Sequence, residues 1–214
     1  MQKLEVLGGK KLRGQVDISG SKNASLPILA ATILSDEKIS LSNLPRVKDI
    51  ETMLNLLKSI GSNIKRDSKK KSLSITNNKK LKFFAPYNLV KTMRAGILVL
   101  GPMLARFHKA KVSLPGGCSI GTRPIDIHLN CLSKLGVDYK ISNGYVYASA
   151  NNGLVGARIK FPKISVGATE SLIIAASMAK GTSILSNCAI EPEIKDLVNF
   201  LNKIGAKIKW IGKR

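Results

Sequence analysis

The sequence predicts an α/β (α+β) domain built of three repeated units with buried helices, and three observations lead to this fold class. Three segments of helical length are apolar on nearly all sides, which is typical of helices buried on every side. Each is followed by the same order of short strand, proline, amphipathic segment and glycine. The 214 residues are 44% hydrophobic, which is enough for one sizeable core or two small ones.

Each repeat begins with a buried helix, and the repeats recur about every 70 residues. The predicted buried helices cover residues 22–34, 90–100 and 166–178. A short predicted strand follows each helix, at residues 39–41, 111–114 and 182–185. The helices therefore lie inside, between short strands.

An amphipathic helix comes next in every repeat, and its ends carry matching signals. The prolines before it are Pro45, Pro124 and Pro192, and proline suits the first helical turn because its missing N–H costs nothing there. The glycines after it are Gly61, Gly136 and Gly205, which predict left-handed C-caps. Predicted strands follow at residues 63–65, 137–141 and 206–211.

The third repeat is predicted to be incomplete. A second strand closes a hairpin in the first two repeats, at residues 73–76 and 145–148, but the sequence reaches Arg214 before such a strand. A sheet without its last strand has an open edge. We therefore expect the natural polypeptide to continue past Arg214. The repeats span about residues 22–80, 85–150 and 160–214 within one domain, 22–214.

The net charge of +22 raises the alternative of a nucleic-acid-binding module. The cations are 27 Lys and only 8 Arg, whereas Arg is the usual residue for bidentate recognition of bases and phosphates. The one dense run, residues 65–71, has no interleaved aromatic residues and is typical of a solvated hairpin turn. A lysine-rich surface or a basic pocket for an anionic small molecule explains the charge equally well.

Targeting, metal and cofactor signals are missing from the sequence. No apolar stretch has the length of a membrane span, and the N-terminus lacks a signal peptide, so we expect a cytoplasmic protein. The three cysteines have the spacing of neither a disulfide framework nor a zinc site. No phosphate-binding P-loop or dinucleotide motif is present, so no cofactor is expected.

A glycine-rich loop at residues 114–126 carries the most chemistry. It combines three glycines with Cys118, Arg123 and Asp126. Such a loop can close over a ligand, and Arg123 can lower the pKa of the Cys118 thiol or hold an anion. The alternative is a surface loop with an inert thiol.

Basic residues recur near the starts of the predicted buried helices. They are Lys22, Arg94 and Lys163, with Asn23 and Ser165 beside them. Helix N-termini offer free N–H groups and a positive dipole end. If the three starts converge, they form an anion site with Arg123; otherwise each cation is a solvated surface charge.

Four segments resemble the UDP-N-acetylglucosamine 1-carboxyvinyltransferase family: residues 18–24, 85–95, 113–128 and 163–169. Members of that family are about twice as long as this chain, so the resemblance covers all of the chain but only the N-terminal half of a member. It implies the EPSP synthase-like fold, an inside-out α/β domain. It also implies transfer of the enolpyruvyl group of phosphoenolpyruvate to the 3-hydroxyl of UDP-N-acetylglucosamine, with release of phosphate.

The resemblance also implies roles for single residues. Cys118 is the expected proton donor, and it also forms a covalent adduct with phosphoenolpyruvate. The expected phosphoenolpyruvate ligands are Lys22, Asn23 and Arg123. The expected UDP-N-acetylglucosamine ligands are Arg94, Arg123, Pro124, Ile125, Asp126, Ile127, Lys163, Ile164, Ser165, Val166 and Gly167.

The missing half has consequences under this interpretation. In the family a second domain supplies a catalytic aspartate and a phosphoenolpyruvate-binding arginine, and residues 1–21 form a strand segment that packs with it. This chain alone is then an incomplete, inactive half that needs the second domain or a chain supplying it. A non-catalytic remnant is the main alternative, ahead of the nucleic-acid-binding module.

Overall fold

The computed structural model describes residues 3–67, 72–77, 80–116 and 124–211. Its α-helices are α1 (Lys22–Ala31), α2 (Lys48–Ile60), α3 (Tyr87–Val90), α4 (Leu100–Phe107), α5 (Asp126–Ser133), α6 (Val166–Ala176) and α7 (Pro192–Lys203). Two 3₁₀ segments, Thr32–Leu34 and Arg94–Val99, continue α1 and precede α4. The strands are β1 (Ile39–Ser42), β2 (Asn63–Asp67), β3 (Ser72–Thr76), β4 (Phe84–Ala85), β5 (Lys109–Ser113), β6 (Asp138–Ser142), β7 (Tyr145–Ser149), β8 (Arg158–Lys160) and β9 (Ile184–Ser186).

Each repeat has its own small sheet. The first has the strand order β1-β3-β2, and β3 pairs antiparallel with both neighbours. The second has the order β4-β5-β7-β6, in which β7 is the equivalent central strand. The third consists of β8 and β9 alone, paired in parallel. In the described part of the chain, the third sheet therefore has no central antiparallel strand.

The buried helices α1, α4 and α6 lie between these sheets, as expected. Every residue of α6 from 168 to 175 is buried, although the segment includes Glu170 and Ser171. The helix α4 packs directly on α6, because a Cβ atom at Gly101 would lie 2.6 Å from the carbonyl oxygen of Ser171. The helices therefore form the interior, and the predicted α/β class with buried helices is confirmed.

The amphipathic helices close the core from outside. In α2 the buried residues recur at helical spacing, for example Ile50, Leu54, Leu57 and Ile60. The helix ends at Gly61, whose φ of 118° is left-handed as the glycine signal predicts. Gly136 and Gly205 also have positive φ angles.

Proline in the first turn of the amphipathic helix, as the sequence suggests, is found at one of the three positions. Pro192 is the first residue of α7. Pro124 and Pro45 precede α5 and α2 by two and three residues, so they end the preceding loop instead. The reason is that proline restricts the residue before it to extended backbone, which suits a loop as well as a helix start.

Two further expectations were wrong in detail. The helix expected at residues 90–100 is instead the short α3, the 3₁₀ segment and then α4, which runs on to Phe107. Gly96 makes this break possible, since a Cβ there would lie 3.1 Å from the Cα of Val90. Residues 206–211, expected as a strand, form no strand and pair with no described strand.

The N-terminal segment lies on the surface. Residues 3–21 contain no helix or strand, and Leu4, Leu7 and Leu12 are each more than 90% exposed. The backbone of Gly20 donates a hydrogen bond to the carbonyl oxygen of Asn43, which fixes the segment where it joins α1. The packing of residues 1–21 against a second domain stays a prediction.

Candidate active site

A cavity of about 540 Å³ lies where the three repeats meet. The predicted site residues that line it are Lys22, Asn23, Arg94, Pro124, Asp126, Ile127, Lys163, Ile164, Ser165, Val166 and Gly167. They come from the starts of α1, α5 and α6 and from the 3₁₀ segment before α4. The structure thus brings together residues that lie far apart in the sequence, while their individual roles stay predictions.

The first wall of the cavity is the N-terminus of α1. The Ser21 side chain caps this helix by accepting a hydrogen bond from the N–H of Ala24. Lys22 follows at once, and its Nζ lies 2.9 Å from Oδ2 of Asp49 on α2. Both side chains remain partly exposed toward the cavity, so an anion entering it can compete with Asp49 for the ammonium group.

The second wall is the N-terminus of α6. Here Ser165 is the capping residue, and its hydroxyl oxygen accepts from the N–H of Ala168. The first turn of a helix has N–H groups without partners inside the helix, and they attract anions. Lys163 stands two residues before this cap and Arg94 lines the same cavity, so two cations accompany the positive helix end.

His128 also lines the cavity, from the first turn of α5. Its side chain is buried, and neither ring nitrogen has a hydrogen-bond partner in the described part of the chain. Burial, together with the positive charge of Arg94, lowers the pKa of His128 to about 4, while Asp126 and the backbone of Gly167 beside the ring oppose the shift. The imidazole is therefore uncharged at neutral pH.

Glu170 is a titratable residue that sequence reasoning missed. It lies one turn into α6, lines the cavity and is buried. Burial raises the pKa of Glu170 to about 8, helped by the negative charges of Glu193 and Glu191. At neutral pH this carboxyl group therefore keeps its proton. A lone acidic residue inside an otherwise uncharged helix was the available signal.

Three predicted site residues are not among the described residues that line the cavity. Cys118 and Arg123 lie outside the described residues, as does the rest of the segment 117–123. Ile125 is buried among core side chains instead of lining the cavity. Of the other cysteines, Cys131 is buried in the core, where burial raises the pKa of its thiol, and Cys188 is half-buried.

The wall of the cavity is mixed in character. Lys22, Arg94 and Lys163 supply positive charge, and Leu26 and Ile97 supply apolar surface. Carboxyl groups also line it, from Asp49, Asp126, Glu170 and Glu193. Across the described ranges, no three His, Cys, Asp or Glu side chains are grouped to hold a metal ion. No described helix has the length and apolar character needed to cross a membrane.

Comparisons with known proteins identify the family of this chain. The sequence profile of the family described as EPSP synthase (3-phosphoshikimate 1-carboxyvinyltransferase) matches residues 6–214. A protein of Pelagibacter ubique (strain HTCC1062) is 72% identical over 214 residues, 100% of this chain and 51% of its own length. One of Pasteurella multocida (strain Pm70) is 52% identical over 212 residues, 99% of this chain and 50% of its own length. Both are named UDP-N-acetylglucosamine 1-carboxyvinyltransferase.

Solved structures support the fold. The enolpyruvyl transferase NikO from Streptomyces tendae aligns with a TM-score of 0.82 at 20% identity, covering 96% of this chain and 48% of its own. An EPSP synthase from Acinetobacter baumannii aligns with a TM-score of 0.70 at 14% identity, covering 93% and 45%. This chain spans about half the length of the curated relatives it matches. The chain therefore belongs to the EPSP synthase family, and within it matches the N-terminal half of proteins named UDP-N-acetylglucosamine 1-carboxyvinyltransferase.

Proposed function

We propose that this chain forms one half of the active site of a cytoplasmic enolpyruvyl transferase that acts on phosphoenolpyruvate and UDP-N-acetylglucosamine, at the first committed step of peptidoglycan synthesis. The observation that carries the proposal is the convergence of Lys22, Arg94 and Lys163 on one cavity between the N-termini of α1 and α6. Both substrates carry phosphoryl groups, which suit such a site. The names of the 72% and 52% identical relatives supply the reaction.

In the proposed reaction the 3-hydroxyl oxygen of the sugar bonds to C2 of phosphoenolpyruvate. Cys118 delivers a proton to C3, and the hydroxyl gives up its own proton to the catalytic aspartate of the second domain. A proton then leaves C3 as the C2–O bond to phosphate breaks, which restores the double bond and releases phosphate. Lys22, Asn23 and Arg123 hold phosphoenolpyruvate. Residues 123–127, residues 163–167 and Arg94 hold UDP-N-acetylglucosamine. A second domain, in the same polypeptide or another one, completes the site.

The test is phosphate release by the protein purified whole from its source, at whatever mass it has there. Release that requires both substrates supports the proposal, and absence of release from a protein of the relatives' length overturns it. A protein of 23.1 kDa that neither binds nor turns over the substrates is the remnant instead.

Lys22→Met is the variant that links activity to the described cavity. Loss of a hydrogen bond to a charged group costs about 1.5–3 kcal/mol, so kcat/KM for phosphoenolpyruvate should fall by about 10- to 100-fold. Lys58→Met is the matched control, because Lys58 is exposed on α2 and does not line the cavity. Equal activity of both variants would remove Lys22 from the proposed site.

The nucleic-acid alternative would use an aromatic and basic surface on the second sheet. The Lys111 ammonium lies 4.9–5.2 Å from the ring centres of Phe84, Tyr145 and Tyr147 on the second sheet. These rings already stack on a lysine of the same chain, which leaves less ring surface for bases. Tight binding of single-stranded RNA at physiological salt would favour this alternative; binding that vanishes there is non-specific attraction.

A further inference from the structure

The strand β6 forms one edge of the second sheet, on the side away from the cavity-lining helix starts in the chain order. Its one partner among the described strands is β7, so the backbone N–H and C=O groups along its other side have no partner in the sheet. All five residues of β6, Asp138–Ser142, are exposed. Because an unpaired row of backbone groups is a template for another strand, this edge is a candidate interaction surface.

The apolar side chains of β6 lie on the face of the sheet that is buried elsewhere. Tyr139 pairs with the buried Ala148 of β7. Ile141 pairs with the buried Val146. Residues directly opposite each other share one face of a sheet, so both β6 side chains lie on the core-facing side. They are nevertheless 39% and 52% exposed, because the sheet ends at β6, and a strand added to this edge would cover them.

The equivalent edge of the first sheet is protected by charge. Arg66 of β2 pairs with Leu73 of β3, the position equivalent to Val146 of β7, and therefore stands where β6 has Ile141. The guanidinium group of Arg66 forms an ion pair with Glu51 of α2. Charged side chains on an edge strand oppose pairing with another strand. The two repeats share one fold, so the apolar edge of β6 is not a requirement of that fold.

The charged residues of β6 are arranged so that the strand is complementary to itself. Asp138 and Lys140 stand on either side of Tyr139, and neither forms an ion pair within the described part of the chain. In an antiparallel pair of two such strands with Tyr139 opposite Tyr139, each Asp138 lies opposite a Lys140. A two-fold axis repeats every contact, so two ion pairs flank one pair of aromatic rings.

We propose that β6 pairs antiparallel with β6 of a second copy of this protein, about a two-fold axis at Tyr139. The inference is independent of the proposed function. Other registers are less favourable: one centred on Lys140 places like charges opposite each other, and one centred on Ile141 leaves Asp138 outside the paired strands. The net charge of +22 opposes association at long range, but at about 0.15 M salt charges more than about 8 Å apart are largely screened.

The first test is sedimentation velocity of the full-length protein at about 0.15 M salt and increasing concentration. Asp138→Lys and Lys140→Asp each place like charges opposite each other twice, so each should raise the dimer dissociation constant by about 10-fold or more. The two changes combined restore opposite charges and should restore the dimer. These side chains are exposed, so every variant should keep the wild-type melting temperature.

The matched control is Asn63→Lys, on the exposed edge strand β2 of the first sheet, which should leave the dimer unchanged. A protein that stays monomeric up to its solubility limit overturns the inference. A dimer that both single changes leave intact also overturns it, as do oligomers that keep growing with concentration, because a two-fold interface closes at the dimer.

The second test measures the register by disulfide cross-linking. In the proposed pair the two Cβ atoms at position 139 lie about 5 Å apart, so Tyr139→Cys should give a covalent dimer on oxidation. Ser142→Cys is the control, because its two copies would lie about 20 Å apart along the strands. The native cysteines are present in both variants and contribute equally. Equal cross-linking of the two variants, or none in either, overturns the proposed pairing.

Discussion

Glu170 shows how the surroundings of one residue change its chemistry. The folded chain holds the Glu170 proton up to about pH 8, whereas an ordinary glutamate releases it near 4.5. Because the pKa is raised by folding, protonated Glu170 favours the folded state fully below pH 4.5. That contribution is lost as the pH rises through 8. Glu191 and Glu193 face the group with like charge and add to the effect.

We predict that Glu170→Gln flattens the pH dependence of stability. Wild-type unfolding free energy should lose on the order of 3 kcal/mol between pH 5 and pH 8 through this group, and the variant should not. Urea unfolding at several pH values measures this. The exposed Glu37→Gln should keep the wild-type profile. A Glu170→Gln profile parallel to wild type would mean that the carboxyl group is ionised at neutral pH.

The residues that sequence reasoning found and missed differ in what defines them. Lys22, Arg94 and Lys163 were recognisable because they stand near the starts of equivalent segments, and equivalence is visible in a sequence. His128 and Glu170 owe their properties to burial and to charges brought close by folding. Ile125 was predicted to be a ligand because it stands in a run of predicted ligands, whereas its side chain packs in the core.

At the scale of helices and strands, residues at a helix end predicted features that depend only on neighbouring residues. The glycine at the end of α2 acts within one turn, so its left-handed backbone could be predicted from the sequence. The break between α3 and α4 depends on Gly96 meeting Val90 at close range. Such a contact has no signature in periodicity, which is why the second buried helix was placed about ten residues too early.

The contact between α4 and α6 predicts a sensitive position. A methyl group at Gly101 must push the two helices apart, so Gly101→Ala should lower the unfolding free energy by about 1–3 kcal/mol. Urea denaturation measures the change. Gly8→Ala is the control, because no atom lies within 4 Å of a Cβ at Gly8. Unchanged stability of Gly101→Ala would mean that the helices can separate at no cost.

The third sheet predicts a difference in hydrogen exchange. The strand β2 pairs with β3, but the equivalent residues 206–211 have no partner strand among the described residues. In this 214-residue chain the amides of Lys209 and Trp210 should therefore exchange much faster than those of β2 that face β3. In a longer polypeptide that supplies the central strand, they should become protected. Slow exchange in the 214-residue chain would mean that the sheet is complete without one.

At the scale of the whole molecule, the exposed N-terminal segment separates two contexts. Leu7→Ser with Leu12→Ser should leave the melting temperature of this chain unchanged, because both side chains are more than 90% exposed. If residues 1–21 pack with a second domain, the same pair should lower the melting temperature of the full-length protein by several degrees. Thermal unfolding of both proteins makes the comparison. Equal effects in both would remove the proposed packing.

The proposed anion site at the meeting point of the repeats would make ligand affinity an indicator of assembly. Lys22, Arg94 and Lys163 come from successive repeats, so no fragment of one or two repeats can carry all three cations. If one repeat unfolds locally, its basic side chain leaves the cavity while the rest of the domain is still folded. Anyone who splits, circularly permutes or stabilises this chain can therefore use anion affinity to see whether its three parts still meet.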